Sequence, residues 1–294
     1  MASSVAAEAV DRLDARRRRL TGTWSLMTER WQIAEGASVD LSEIDPHTCE
    51  AAPGGKRETR AASDRLRREL RDLQKRLYAE DSRAVLVVLQ AMDAGGKDGA
   101  IRKAFSGLNP QGCRVHTFNK PTEEELAHDF LWRIHPRCPR KGTIGIFNRS
   151  HYEDVVAVRV RHLVPEEVWR ARYDAIRDFE RILASEGTRI VKLFLHISQE
   201  EQARRLRKRL ENPTKQWKFK KGDLDDRDLW PEFMRAYADA IGRTSTADAP
   251  WYVIPADRKW YRDWAVLTVV LETLREMDPR YPAPEEDLSD VVVV

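Results

Sequence analysis

The stretch Ala91-Met92-Asp93-Ala94-Gly95-Gly96-Lys97-Asp98-Gly99-Ala100 follows a short apolar run and precedes a helical pattern. Strand, glycine turn, Gly-Lys and helix make up the layout of a phosphate cradle. Glycines let backbone N–H groups face one anion, the helix N-terminus adds its positive end, and the lysine supplies a point charge. Against the signature G-x-x-x-x-G-K-[ST], Ala91 replaces the first glycine, and Asp98 stands where a magnesium-ligating hydroxyl is expected. A plain glycine turn with a solvated lysine has the same spelling; its place after the first core strand favours the cradle.

A second polar cluster, Phe147-Asn148-Arg149-Ser150-His151-Tyr152-Glu153-Asp154, closes another apolar run. In P-loop enzymes an acidic residue at such a strand tip holds magnesium or its water. Here the tip is Asn148, with Arg149 beside it. Open α/β sheets bind ligands at the carboxyl ends of their strands, so both clusters are expected on one edge. A strand-to-helix loop with no further role is the plainer alternative.

The third feature is basic. Residues 201–222 hold nine Lys and Arg side chains against two acids, while 276–294 hold six acids and one Arg. Arg205 and Arg209, four apart on a predicted helix, share a face. After the breaker Asn212-Pro213 come Lys215-Gln216-Trp217-Lys218-Phe219-Lys220-Lys221. Such a run can be a solvated face, or a stacking surface for single-stranded nucleic acid. Between the fourth and fifth core strands it also stands where nucleotide kinases carry a mobile lid that closes over phosphates and excludes water.

The elements that must position these residues follow from periodicity. Ala84–Gln90, Arg114–Phe118, Thr143–Phe147, Ile190–Ile197 and Trp251–Ile254 read as strands buried in a parallel sheet. Helical patterns lie between them, near 97–107, 122–135, 152–162, 165–186, 199–211 and 225–242, with a last one at 258–277. Leu66, Leu70, Leu73 and Leu77 predict an amphipathic helix over 63–80. The segment PGGKRET at 53–59 reads as a loop, and the first 62 residues as a helical arm outside the core. The chain after 280 reads as a tail ending in four valines.

Composition bounds the partners. The chain has 294 residues, 34% of them charged, with a net charge of only +3. That balance argues against a nucleic-acid coat. No apolar run reaches the ~18 residues of a membrane span, and the N-terminus lacks the apolar core of a secretory signal. Three cysteines do not make a disulfide framework. A soluble cytoplasmic protein is expected, binding neither membrane nor nucleic acid. Cys113/His116 and His135/Cys138 have metal-like spacing, but 113–116 reads as strand, where positions three apart face opposite ways. His151 reads as a loop histidine bonded to backbone, and Trp251, Tyr252 and Trp260 as packing aromatics.

Four blocks together resemble the second family of polyphosphate kinases, the polyphosphate:nucleotide phosphotransferases. They are AMDAGGKDGAIRK (91–103), FNRSHYEDV (147–155), EQARRLRKRLENPTKQWKF (201–219) and TSTADAPWYVIPADRKW (244–260). They occur in the family's order, so the resemblance spans roughly 63–277, and the Asn148 spelling is most similar to its class III branch, which acts on AMP and ADP. The resemblance implies inorganic polyphosphate and adenine nucleotides as substrates, Mg²⁺ (or Mn²⁺) as cofactor, and a homo-oligomer, a tetramer. It implies that Lys97 and the backbone of Ala94, Gly95, Gly96, Asp98 and Gly99 bind the nucleotide's phosphates. Asp93 would hold the metal, and Arg149 would stabilise the phosphoryl group in flight with help from Arg159. Glu153 would meet the adenine amino group, and Arg205 and Arg209 would clamp polyphosphate with Lys215 and Lys218. Asn148 departs from the acidic motif of the other branches, which shifts the metal's charge onto Asp93.

The expected architecture is a P-loop kinase-like three-layer α/β/α domain over 63–280, with a parallel sheet and an inserted helical lid at about 199–224. Two rival functions remain at this stage: an ATP-dependent nucleoside monophosphate kinase, and a non-catalytic module that binds polyanions or nucleic acid.

Overall fold

A computed structural model of the chain describes residues 28–288 together with Val291 and Val293. Its centre is a six-stranded sheet in the order β1-β6-β5-β2-β4-β3. The strands are β1 (Gln32–Ile33), β2 (Ala84–Gln90), β3 (Cys113–Thr117), β4 (Ile144–Asn148), β5 (Thr188–His196) and β6 (Trp251–Pro255). The five expected strands are all present and mutually parallel, but β3 is an exposed edge strand rather than a buried one, because no strand covers its outer side. The expectation of a wholly parallel sheet is corrected at one edge, where β1 runs antiparallel to β6.

Every residue of β2 is buried, and its side chains alternate between two cores. Val85, Val87 and Leu89 face one core; Leu86 and Val88 face the other. Each core is completed by helices. On the first face lie α1 (Lys56–Glu80), α2 (Lys97–Ala104) and α9 (Lys259–Met277). On the second lie α5 (Glu166–Ser185) and α8 (Trp230–Thr244). The result is a three-layer α/β/α domain. The remaining helices are short or stand at the sheet's carboxyl edge: α3 (Glu123–Leu126), α4 (Ala157–Val160), α6 (Gln199–Leu210) and α7 (Gly222–Asp228).

Strand order reverses beside β2. From β2 the chain crosses to β3 and returns to β4, then passes to the other side for β5 and β6. The loops after β2 and β4 therefore part at a switch point, and the crevice between them is where such sheets take ligands.

Two boundaries move. The loop expected over 53–59 ends at Gly55, and α1 begins at Lys56 rather than Ser63. The segment before it is less separate than an arm. Trp31 is buried, set edge-on against Trp264 at 5.6 Å, and β1 extends the sheet. The expectation of a helical arm, with Arg16–Arg19, rests mostly on the first 27 residues, which lie outside the described ones. In the 122–135 region the only α-helix is the one turn of α3, capped by Thr122 and Glu125 in a reciprocal box.

Candidate active site

At the end of β2 the backbone turns sharply. Ala94 has φ +61° and Gly96 φ +105°, and Gly96 caps α2. Neither glycine of α2's start has room for a side chain. A Cβ at Gly96 would stand 2.1 Å from Nη1 of the buried Arg262, and one at Gly99 would stand 3.1 Å from its Nη2. The Lys97 ammonium curls back over its own turn, donating to the Ala91 carbonyl at 2.7 Å. Burial, reinforced by the Arg149 charge, pulls its pKa down to about 8.

From the neighbouring β4, Arg149 follows the strand with φ +64° and donates its guanidinium to Asp93 Oδ1 at 2.6 Å. The two sequence clusters thus meet across the switch point. Burial pushes the Asp93 carboxyl up, but Arg149, Lys97 and Arg209 outweigh it and hold it below the ordinary range. Glu153 turns inward, 3.8 Å from Arg149 Nη1. With the Gln90 amide oriented to satisfy its neighbours, its nitrogen lies 2.9 Å from the other Glu153 oxygen. Glu153 is therefore engaged by two partners.

Asp98, in the first turn of α2, bridges two elements. It accepts from the Asn148 amide at 3.0 Å and from Lys218 at 2.7 Å. Lys218 comes from the basic segment after α6, so that segment reaches across to the cradle. Arg209 reaches Asp223 of α7 at 3.4 Å, and Lys215 is exposed. Trp217 beside them is the most exposed aromatic of the segment, at 76%.

Two expected site residues are engaged by other protein groups. Arg205 does not share Arg209's outlook: it is 7% exposed and donates to the carbonyls of Ala94, Gly95, Ala256 and Asp257, with Glu201 on its Nε. It ties the cradle to the end of β6. Arg159 pairs with Asp239 and lies over the Trp169 ring at 4.6 Å, away from Asp93 and Lys97. His151 bonds to the Glu180 carboxylate at 3.3 Å, not to backbone.

Sequence reasoning also passed over several groups. Asp223 and Asp226 of α7 face the Asp93–Arg149 pair, their carboxyls pushed up by burial and, in both, by the Asp93 charge. Arg161 grips Asp226 with both oxygens at 2.6 Å. Gln202 of α6 fixes the Asp93 carbonyl at 3.0 Å. The acid-rich spelling Asp223-Leu224-Asp225-Asp226 directly after a basic segment was the available signal.

The sequence matches the family model for Polyphosphate kinase 2 (PPK2) over residues 54–282. The chain belongs to the polyphosphate kinase 2 family. It is similar to the AMP/ADP-polyphosphate phosphotransferase of Meiothermus ruber, 53% identical over 90% of this chain and 99% of that protein. It is 42% identical to the ADP-polyphosphate phosphotransferase of Rhodopseudomonas palustris, covering 87% of this chain and 93% of the relative. Among solved structures, that of Polyphosphate Kinase 2 from Arthrobacter aurescens TC1 superposes with a TM-score of 0.85 at 39% identity, over 88% of this chain and 92% of that one.

Within this polyphosphate kinase 2 fold, Arg205 and Arg209 are expected to behave differently. Arg205→Met strips a buried charge from Glu201 and four carbonyls, at a cost of about 3 kcal/mol. The thermal midpoint should fall accordingly, while Arg209→Met leaves it in place. Equal midpoints in melting curves would mean that the buried contacts of Arg205 add nothing to stability.

Proposed function

We propose that the chain is a polyphosphate-dependent nucleotide kinase, moving the terminal phosphate of inorganic polyphosphate to AMP or ADP by in-line transfer assisted by Mg²⁺ (or Mn²⁺). The observation that carries this reading is the meeting of a Lys97 cradle with the Arg149–Asp93 pair at the sheet's switch point. The names of the relatives, an AMP/ADP and an ADP-polyphosphate phosphotransferase, support the substrates.

Both reactants are polyanions, so the protein's task is to position them and neutralise charge. The cradle N–H groups and Lys97 hold the nucleotide's phosphates. A terminal oxygen of the nucleotide attacks the end phosphorus of polyphosphate. The bond to the bridging oxygen breaks, and that oxygen leaves on a chain one phosphate shorter. The attacking oxygen is already ionised, and no covalent enzyme intermediate is needed. One phosphoanhydride replaces another whether AMP or ADP is the acceptor, which makes the step reversible. Arg149 carries the charge of the phosphoryl group in flight.

The residues fit a magnesium ion. Mg²⁺ is bound by one or two carboxylates together with substrate phosphates and waters, and Asp93 offers a carboxylate at the cradle mouth. When bound, the ion would neutralise phosphate charge that Lys97 and Arg149 alone leave uncompensated. Asp93 and Asp98 are each paired with a cation, Arg149 and Lys218, and Asp93 is the one the family resemblance assigns to the metal.

In the same reading, 199–224 acts as a lid. Lys218 crosses to Asp98, and Arg209 and Lys215 stand on the same segment. Each engaged cation has a carboxylate partner that phosphate would replace. A homo-oligomeric cytoplasmic enzyme completes the proposal; no helix among the described residues is long and apolar enough to cross a membrane.

The donor decides among the rival functions. With Mg²⁺ and AMP or ADP, polyphosphate should yield the next phosphorylated nucleotide when products are resolved by chromatography. Conversion of AMP only when ATP is supplied would mean an ordinary monophosphate kinase. Salt-sensitive polyanion binding with no product from either donor would mean a binding module.

A further inference from the structure

Lys192 lies in the middle of β5 and is fully buried. All three donors of its ammonium are used: Glu180 Oε2 at 2.6 Å, the Thr244 carbonyl at 2.6 Å and the Tyr152 hydroxyl at 3.0 Å. The other Glu180 oxygen lies 2.8 Å from the same hydroxyl and 3.3 Å from His151 Nε2. Thr244 Oγ1 stands 2.9 Å from Tyr152 and accepts from the Trp251 indole at 2.9 Å. Three elements of the second core, β5, α5 and α8, thus converge on one side chain of the loop after β4.

A buried ion pair gains little net stability over an apolar pair of the same shape. Its cost calls for another benefit, and the residue it grips suggests one. Tyr152 lies three residues past Arg149, whose left-handed backbone carries a strain of about 1–3 kcal/mol. Such a conformation persists only where its surroundings over-determine it. On one side the Arg149 N–H is bonded to the Leu89 carbonyl at 3.1 Å. On the other, the Ser150 hydroxyl accepts from the Tyr152 N–H at 3.2 Å, and the Tyr152 ring is buried.

We propose that Lys192, Glu180 and Tyr152 form a positioning group that holds the loop after β4 so that Arg149 points at Asp93. This deepens the reading of Arg149 given above and rests on it for its kinetic consequence. None of the three touches the reacting groups; they act through the loop backbone.

Tyr152→Phe keeps the ring and removes the hydroxyl. Its kcat should fall between about 10- and 100-fold, with KM for nucleotide and polyphosphate changing less than about twofold. The same substitution made on an Arg149→Lys background should cost less than about twofold, because the group acts through that arginine. An equal cost on both backgrounds overturns the proposal. The double variant Lys192→Met/Glu180→Leu replaces the ion pair by apolar bulk and should reproduce the kcat loss without a lower thermal midpoint; wild-type kcat in it also overturns the proposal. A crystal structure of Tyr152→Phe reads positioning without turnover: the Arg149 guanidinium should leave Asp93. If the 2.6 Å contact and the positive φ both persist there, the proposal fails whether or not the chain uses polyphosphate.

Discussion

Arg149→Ala is expected to lower kcat with polyphosphate by about 10³-fold or more, the scale of a lost charge-stabilising arginine in phosphoryl transfer. Thermal stability should stay near wild type. Arg149 stands on a loop, and the Asp93 carboxylate it leaves behind is 22% exposed and can take water. Lys97 and Arg209 also remain to hold that carboxylate ionised. The loss should fall on kcat more than on KM, since the cradle still binds the nucleotide's phosphates. Arg149→Lys should recover part of the rate, because an ammonium supplies charge without the planar fork. A KM increase at unchanged kcat, measured at saturating polyphosphate, would make Arg149 a binding group and remove its role in the transition state.

The parts of this site that were legible in the sequence are those in which short-range chemistry and position coincide. Gly95-Gly96-Lys97 after a buried strand specifies the turn and the lysine together. Continuous apolar runs give β2, β4, β5 and β6 because both faces of the sheet are covered there, whereas β3, at the edge, leaves Arg114, Val115 and Thr117 exposed. β1 was not legible: two residues, Gln32 and Ile33, carry no alternation, and only Trp31's burial and the pairing with β6 reveal a strand. The partners of Arg205 were not legible for a related reason. Spacing of four puts it on Arg209's side of α6, yet the helix lies against the cradle along one line. Arg205 is buried there with Glu201 on its Nε, while Arg209 a turn later reaches Asp223 of α7 instead. Likewise the resemblance implies a ligand contact for Glu153 but says nothing of Gln90 and Arg149, which approach it only in three dimensions. Long-range partners of charged side chains are the information that periodicity lacks.

Lys97→Met is expected to destroy turnover and stabilise the fold. The ammonium is buried, and burial comes first among the causes that bring its pKa to about 8. Between about pH 8 and the ordinary lysine value of about 10.4, the folded chain binds fewer protons at this site than the unfolded one. Stability from this group therefore rises with pH across that window. Below about pH 8 the charged form carries its whole penalty, roughly 3 kcal/mol. Methionine removes the penalty, although the Ala91 carbonyl loses its donor. The variant should melt a few degrees higher at pH 7, and the advantage should vanish near pH 10.5. Its kcat/KM should drop about 10²- to 10³-fold, as when one positioned donor to developing charge is removed. The wild type answers the same question from the other side. As pH rises through about 8, kcat/KM should fall because the free enzyme loses the cation, while kcat holds because bound phosphate restores it. A flat kcat/KM profile to pH 9.5, or a variant melting below wild type at pH 7, would mean that the Lys97 ammonium is not strained in the empty cradle.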